Sequence, residues 1–139
     1  MVENNLPLIY VIDDDHDDFY FLNRILLKRF PHLEIQHFPR PDVFRDQMKT
    51  ITKPSAIILD INMPIMNGFE VINIIKKSDE WAKIPVLFLS TADDTKYKEK
   101  AFSLGAVNYL VKPVDPSDWE VVIDQIMKEV NAISKYIPE

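Results

Sequence analysis

Two apolar segments of the chain end directly at aspartates. Leu8–Ile12 is followed by three aspartates at residues 13–15, and Ala56–Leu59 is followed by Asp60. A short, β-rich apolar run without polar alternation is typical of a strand buried on both faces of a parallel sheet, and such sheets bind ligands beyond the carboxyl ends of their strands. We therefore expect these carboxylates to converge on one crevice. Their mutual repulsion favours a hard divalent cation with oxygen ligands, and magnesium is the best match.

Two further predicted strand ends carry residues that suit a phosphoryl group. The apolar run at residues 86–89 ends at Ser90 and Thr91, and Asn108–Val111 ends at Lys112. A metal and a lysine offset charge on phosphoryl oxygens, a hydroxyl donates a hydrogen bond to them, and an aspartate can be the nucleophile that forms an acyl phosphate. Taken singly, each residue has a simpler explanation as a helix cap or a turn former. Their coincidence at one sheet edge favours the chemical interpretation.

The rest of the chain alternates strand patterns with helix patterns. Apolar residues recur at helical spacing after each strand, whereas residues 33–38 alternate in polarity as in a half-exposed edge strand. Gly105 is suited to the left-handed end of a helix. Five strands alternating with five helices predict a single doubly wound α/β domain over residues 1–139. We place its core at about residues 6–131 and a C-terminal tail at residues 132–139, and we expect residues 134–139 to be loosely held.

Composition excludes several classes of site. The 139 residues include 22 acidic and 16 basic side chains, and the net charge of −6 argues against nucleic-acid binding by the whole surface. There is no cysteine for a disulfide or a thiolate zinc site, and the only glycines, Gly68 and Gly105, leave no glycine-rich nucleotide loop. No apolar run approaches the roughly 20 residues that span a bilayer, and the N-terminus lacks signal-peptide features. We expect a cytoplasmic protein that binds neither nucleic acid nor membrane.

Four motifs together resemble the receiver domains of two-component response regulators, in particular stand-alone regulators of the chemotaxis type. The motifs are Val11-Ile12-Asp13-Asp14, Leu59-Asp60-Ile61-Asn62-Met63-Pro64 with Asn67-Gly68, Pro85-Val86-Leu87-Phe88-Leu89-Ser90-Thr91-Ala92, and Tyr109-Leu110-Val111-Lys112-Pro113. They stand in the order and at the spacing of that family. The resemblance implies a flavodoxin-like fold, in which five parallel strands have the order 2-1-3-4-5 and are surrounded by five helices.

The resemblance also implies roles for the acidic residues. Asp60 is expected to be the phosphoacceptor. Asp13 and Asp14 are expected to form an acidic pocket that, with Asp60, holds Mg²⁺ or in its place Mn²⁺. The backbone carbonyl of Asn62 would be a further ligand. Asp15 lies beside this pocket, and we interpret it as a helix cap rather than a ligand.

The remaining site residues are assigned in the same way. Ser90 is expected to be the switch hydroxyl that closes on the phosphoryl group, with Thr91 beside it where the family usually has a smaller alanine. Lys112 is expected to pair with the phosphoryl group. Tyr109 matches an aromatic residue whose rotamer follows the hydroxyl, and the alternative is a tyrosine packed on the strand surface. The peptide bond before Pro113 is expected to be cis, as it is in the family.

The resulting hypothesis is a phosphoacceptor signalling protein and not an enzyme with a separate substrate. It would catalyse only its own magnesium-dependent phosphorylation by a histidine kinase or phosphotransfer protein, and slow hydrolysis of the aspartyl phosphate. Output would pass through protein–protein contact at the face built from the fourth helix, the fifth strand and the fifth helix, and a homodimer is left open. Val121 and Met127 are candidate exposed apolar residues for such contacts.

Two alternatives remain open. One is a magnesium-dependent phosphohydrolase of the haloacid dehalogenase type, because Asp13 and Asp15 formally fit its D-x-D motif. That family, however, needs a later acidic pair for its metal, where this chain has Lys112. The other is a pseudo-receiver that binds partners without phosphorylation, against which the complete set of acids, hydroxyl and lysine argues. Steady turnover of a general phosphatase substrate would favour the phosphohydrolase, and a single stoichiometric phosphorylation would favour the receiver.

Overall fold

The computed structural model describes residues 7–133, with side chains described for residues 7–130. The strands are β1 (Leu8–Ile12), β2 (Glu34–Phe38), β3 (Ala56–Leu59), β4 (Val86–Ser90) and β5 (Asn108–Val111). The helices are α1 (His16–Arg29), α2 (Pro41–Gln47), α3 (Gly68–Lys77), α4 (Thr95–Ser103) and α5 (Trp119–Ile133), and a 3-10 turn over Pro116–Asp118 precedes α5. All strands are parallel, in the order β2-β1-β3-β4-β5. The predicted fold class and strand order are confirmed.

The register of the sheet brings the carboxyl ends of four strands level with one another. Ile12 of β1 lies opposite Leu59 of β3, and Leu59 lies opposite Phe88 of β4. Ser90 lies opposite Val111 of β5. Side chains of β3 and β4 are buried throughout, whereas β2 alternates toward solvent, as expected of central and edge strands. The residues that follow these strands therefore share one edge of the sheet.

Each face of the sheet has its own hydrophobic core, because successive strand residues point to opposite faces. On one face α1 and α5 enclose the fully buried Leu26 and Ile123. On the other face α2 and α3 pack over Tyr10, Phe44 and Trp81, whose ring centroids lie 5.7–6.4 Å apart. Burying one such side chain contributes about 1.5–3 kcal/mol, so the two cores hold the strand ends in place.

One expectation about α5 is wrong. Met127 is 5% exposed and packs in the core beneath α1, because it lies one turn after Ile123 on the buried stripe, whereas Val121 is 59% exposed as expected. The helix continues through Ile133, as its predicted inner stripe requires, so the first two residues of the predicted tail are helical. Residues 134–139 of that tail lie outside the described part of the chain. Within residues 7–133, no helix is both long and apolar enough to cross a membrane.

Candidate functional site

Three carboxylates meet at the carboxyl edge of the sheet. Asp13 follows β1 and Asp60 follows β3, and the strand pairing continues past both strand ends because the Asp60 N–H donates to the Ile12 carbonyl at 3.0 Å. Asp13 and Asp60 are 4% and 6% exposed, and Asp14 is half-buried. One oxygen from each of the three lies within 4.8 Å of the others. The predicted convergence of the aspartates is confirmed.

Lys112 joins this cluster from the end of β5. Its Nζ lies 2.8 Å from Asp13 Oδ2, 2.8 Å from Asp18 Oδ2 and 3.4 Å from Asp60 Oδ2, and its side chain is 4% exposed. Its backbone N–H donates to the Ser90 carbonyl at 2.8 Å, which ties the lysine to the end of β4. Sequence reasoning missed Asp18. The available signal was its place in the first turn of the helix that follows the acidic run.

Burial sets the electrostatics of the site. Burial raises the pKa of Asp60 to about 6, with a further contribution from the Asp13 charge that Lys112 and the Ile61 N–H only partly offset. Burial raises the pKa of Asp13 as well. Burial alone would lower the pKa of Lys112, but Asp13, Asp18 and Asp60 outweigh it and raise that pKa above its ordinary value. The lysine is thus firmly charged, and the carboxylates still carry more negative charge than it neutralises.

The donor set of this cluster fits a hard divalent cation. All three candidate ligands are carboxylate oxygens. Burial raises the pKa of Asp13 and of Asp60, and Lys112 offsets this only in part. An open cavity of about 550 Å³ lies over the cluster, and its wall includes Asp14, Asp60, Asn62, Thr91 and Lys112. The acidic cluster can therefore bind a metal ion and leave room for a ligand above it.

The hydroxyl residues at the end of β4 occupy different environments. Ser90 is fully buried, and its Oγ accepts a hydrogen bond from the Ala92 N–H at 3.2 Å. Thr91 is exposed on the cavity wall. Tyr109 is 7% exposed, and its hydroxyl donates to the Ala92 carbonyl at 2.6 Å. The alternative of a tyrosine on the strand surface is wrong, because the ring is buried beside Phe88, with centroids 6.1 Å apart.

The turns that follow β1 and β3 hold the aspartates of the site in position. Asp15 is the N-cap of α1, where its Oδ1 accepts from the N–H groups of Asp17 and Asp18 at 2.9 and 3.0 Å, which confirms the cap interpretation. Gly68 begins α3 so close to the end of β3 that a Cβ there would lie 2.2 Å from the Asp60 carbonyl oxygen. Ile65, in the same turn, has φ of 73°, a strained left-handed conformation for a β-branched residue.

The expected cis bond before Pro113 is wrong. Among the described residues no peptide bond is cis, so the bond between Lys112 and Pro113 is trans. A trans bond before proline is favoured by about 0.5–1 kcal/mol unless packing requires the other isomer. Here Lys112 reaches Asp13 and Asp60 with the trans bond in place.

The sequence of the chain is similar to those of known proteins. Residues 9–124 match the family described as the response regulator receiver domain. The chain is 36% identical over 106 residues to protein RcaC of Microchaete diplosiphon, a match that covers 76% of this chain and 16% of RcaC. It is 29% identical over 125 residues to protein PilH of Pseudomonas aeruginosa, covering 90% of this chain and 95% of PilH.

The fold of the chain also matches that of a solved response regulator. The crystal structure of the phosphorylated cyanobacterial phytochrome response regulator RcpA superposes with a TM-score of 0.80 at 22% identity, and the match covers 88% of this chain and 92% of RcpA. The chain spans less than half the length of several curated relatives that it matches. The family match extends over most of the chain, and the protein therefore belongs to the response regulator receiver domain family.

Proposed function

We propose that this receiver domain accepts a phosphoryl group on Asp60 from a histidine kinase or a phosphotransfer protein. The observation that carries the proposal is the environment of the Asp60 carboxylate. It lines the cavity, lies 3.4 Å from the charged Lys112, and has a raised pKa of about 6, which leaves it ionised at neutral pH and more basic than an ordinary aspartate. A carboxylate that faces the cavity, is more basic than usual and lies near a cation is suited to attack phosphorus.

Asp13 is less suited to the same role because it does not line the cavity and because Lys112 holds its Oδ2 more closely. Oδ1 of each carboxylate accepts a backbone N–H at 2.8 Å, but Lys112 Nζ lies 2.8 Å from Asp13 Oδ2 and 3.4 Å from Asp60 Oδ2. This argues against a haloacid dehalogenase-type phosphohydrolase, whose nucleophile would follow the first strand. Asp13 is then a charged neighbour of the reacting carboxylate and not the nucleophile.

The proposed transfer exchanges one bond to phosphorus for another. An Asp60 carboxylate oxygen attacks phosphorus, an O–P bond forms, and the P–N bond to the donor histidine breaks with its electron pair left on the ring nitrogen. Lys112 offsets negative charge on the phosphoryl oxygens. In slow hydrolysis a water oxygen bonds to phosphorus and the O–P bond to Asp60 breaks, which returns the carboxylate and inorganic phosphate. The domain would thus act only on itself.

A divalent cation belongs to this proposal. Asp13, Asp14 and Asp60 would hold it, with the backbone carbonyl of Asn62 as a further ligand, and when bound it would supply additional neutralisation of phosphoryl charge. We propose Mg²⁺, which Mn²⁺ can replace. A cytoplasmic location remains a prediction.

Output would arise through the link between Ser90, Ala92 and Tyr109. In the proposed response, the Ser90 hydroxyl turns toward the phosphoryl group and disturbs its bond to the Ala92 N–H, while the Ala92 carbonyl holds the Tyr109 hydroxyl. Movement of this loop would be passed to the face formed by α4, β5 and α5. Exposed apolar side chains on or next to these elements support that face as the contact for a protein partner: Tyr97, Phe102, Val107 and Val121.

Incubation with acetyl phosphate and Mg²⁺, followed by electrophoresis in a phosphate-affinity gel, tests the proposal. Wild-type protein should shift to a single phosphorylated band that acid preserves and base removes, and the Asp60→Asn variant should not shift. A full shift in the variant would contradict Asp60 as the acceptor. A wild-type protein that never shifts, yet folds and binds the cation, would favour a pseudo-receiver.

A further inference from the structure

Asp18 gives Lys112 a second strong carboxylate partner on the α1 side of the site. The contact between Lys112 Nζ and Asp18 Oδ2 is 2.8 Å, equal to the contact with Asp13 and shorter than the 3.4 Å to Asp60. Asp15 holds the backbone of Asp18 in place because it caps the first turn of α1 and accepts from the Asp18 N–H. The lysine therefore lies closer to Asp13 and Asp18 than to the proposed phosphoacceptor.

The geometry makes Asp18 a competitor for the lysine. An ammonium group has three N–H donors, and here two point at Asp13 and Asp18 at close range. A phosphoryl group on Asp60 needs at least one strong donor from Lys112. Asp13 is buried and held by the Asp15 N–H, whereas the Asp18 side chain is 27% exposed and can be hydrated when released. Asp18 is thus the partner whose contact weakens when Lys112 turns toward the phosphoryl group.

We infer that Asp18 is a positioning residue that restrains Lys112 on the α1 side of the site and thereby slows phosphorylation of Asp60. This inference rests on the proposed phosphorylation of Asp60 and adds a regulator of its rate. Removing the Asp18 charge frees the lysine to stabilise the developing charge on the phosphoryl oxygens. The effect belongs to the contact with Lys112 and not to the net charge of the helix end.

The chain supplies a matched control for that distinction. Asp17 lies in the same first turn of α1 and is exposed, so Asp17→Asn removes the same charge from the same helix end. Its effect reports the change in net charge alone. Asp18→Glu keeps the charge with a longer reach and should restore the restraint, so its rate should lie near that of wild type. Asp18→Ser removes the charge with a different side chain and carries the same expectation as Asp18→Asn.

The experiment measures the rate of phosphorylation by acetyl phosphate at saturating Mg²⁺. Asp18→Asn should react about threefold to tenfold faster than Asp17→Asn, as expected for releasing a charge-assisted contact that is partly screened by solvent. A second readout uses metal-free protein, in which the Lys112 ¹⁵Nζ resonance should shift in Asp18→Asn and keep its position in Asp17→Asn. Circular dichroism confirms that each variant is folded.

The outcomes separate this inference from the proposed function. Equal rates in Asp18→Asn and Asp17→Asn, or a slower rate in Asp18→Asn, would overturn the restraint even though Asp60 is phosphorylated. Loss of phosphorylation in wild type itself would instead overturn the proposed function. A faster Asp18→Glu variant would also count against the inference, because the restraint requires only a carboxylate within reach of the lysine.

Discussion

Asp60→Asn should stabilise the metal-free protein at neutral pH, although it removes the proposed reactive group. Burial and the Asp13 charge raise the pKa of Asp60 from 3.8 to about 6. Each pKa unit corresponds to 1.36 kcal/mol, so keeping Asp60 ionised in the folded state costs roughly 3 kcal/mol above pH 7. Asparagine is neutral and its side-chain oxygen can still accept from the Ile61 N–H, the contact that Asp60 Oδ1 makes at 2.8 Å. The raised pKa already includes the stabilising contact with Lys112 at 3.4 Å, so the expected gain is at most about 3 kcal/mol.

The sign of the pH dependence follows from the raised pKa. The proton that Asp60 binds more tightly in the folded state contributes stability that is fully present below about pH 4 and is lost as the pH rises through about 6. The advantage of Asp60→Asn should therefore be largest at pH 7.5 and should shrink as the pH is lowered toward 4.

Urea unfolding in the presence of a chelator measures this difference. Trp81 and Trp119 are 2% and 3% exposed and lie in the cores on opposite faces of the sheet, so their fluorescence reports both cores. Asp79→Asn removes an exposed carboxylate and should leave stability within about 0.5 kcal/mol of wild type. The reasoning would be refuted if Asp60→Asn were no more stable than wild type at pH 7.5. It would also be refuted if the stability difference between the two proteins were the same at pH 4.5 as at pH 7.5.

Three further perturbations follow from the same geometry. Mg²⁺ at about 100 times its dissociation constant should stabilise the wild type by about 2.7 kcal/mol. In a titration of stability against Mg²⁺ concentration, Asp14→Asn should move the midpoint to higher concentration, and an unchanged midpoint would contradict a ligand role for Asp14. Ile65→Asn should raise the free energy of unfolding in urea by about 1 kcal/mol, because asparagine tolerates the φ of 73° better than isoleucine. A lower free energy of unfolding would show that the exposed Ile65 side chain makes a stabilising contact. Gly68→Ala should lower stability by more than about 2 kcal/mol, because its Cβ would lie 2.2 Å from the Asp60 carbonyl, and a variant as stable as wild type would contradict that close approach.

The sequence alone predicts the sheet and the residues that converge on it, because apolar runs that end at Asp13, Asp60 and Ser90 encode both burial and strand direction. A parallel sheet then places these ends together without any knowledge of loop geometry. The role of Asp18 was not predictable in the same way. Its pairing with Lys112 depends on how the first turn of α1 is oriented, and local sequence does not specify that direction.

Other differences have comparable causes. Met127 is buried and not exposed because the buried stripe of α5 is wide enough to include it, and helical spacing alone does not give that width. The trans bond before Pro113 is the isomer that an X-Pro dipeptide favours by about 0.5–1 kcal/mol, so here the structure follows the local preference and not the family resemblance. Patterns that repeat along an element are therefore predictable, whereas contacts between elements require the assembled fold.

The site of phosphorylation is the central claim, and chemical trapping tests it most directly. Wild-type protein is phosphorylated with acetyl phosphate and Mg²⁺, reduced with borohydride, which converts an aspartyl phosphate to homoserine, then digested and sequenced by mass spectrometry. We predict homoserine at residue 60 alone, with intact aspartate at residues 13 and 14. Homoserine at either of those positions, with Asp60 unmodified, would contradict the account.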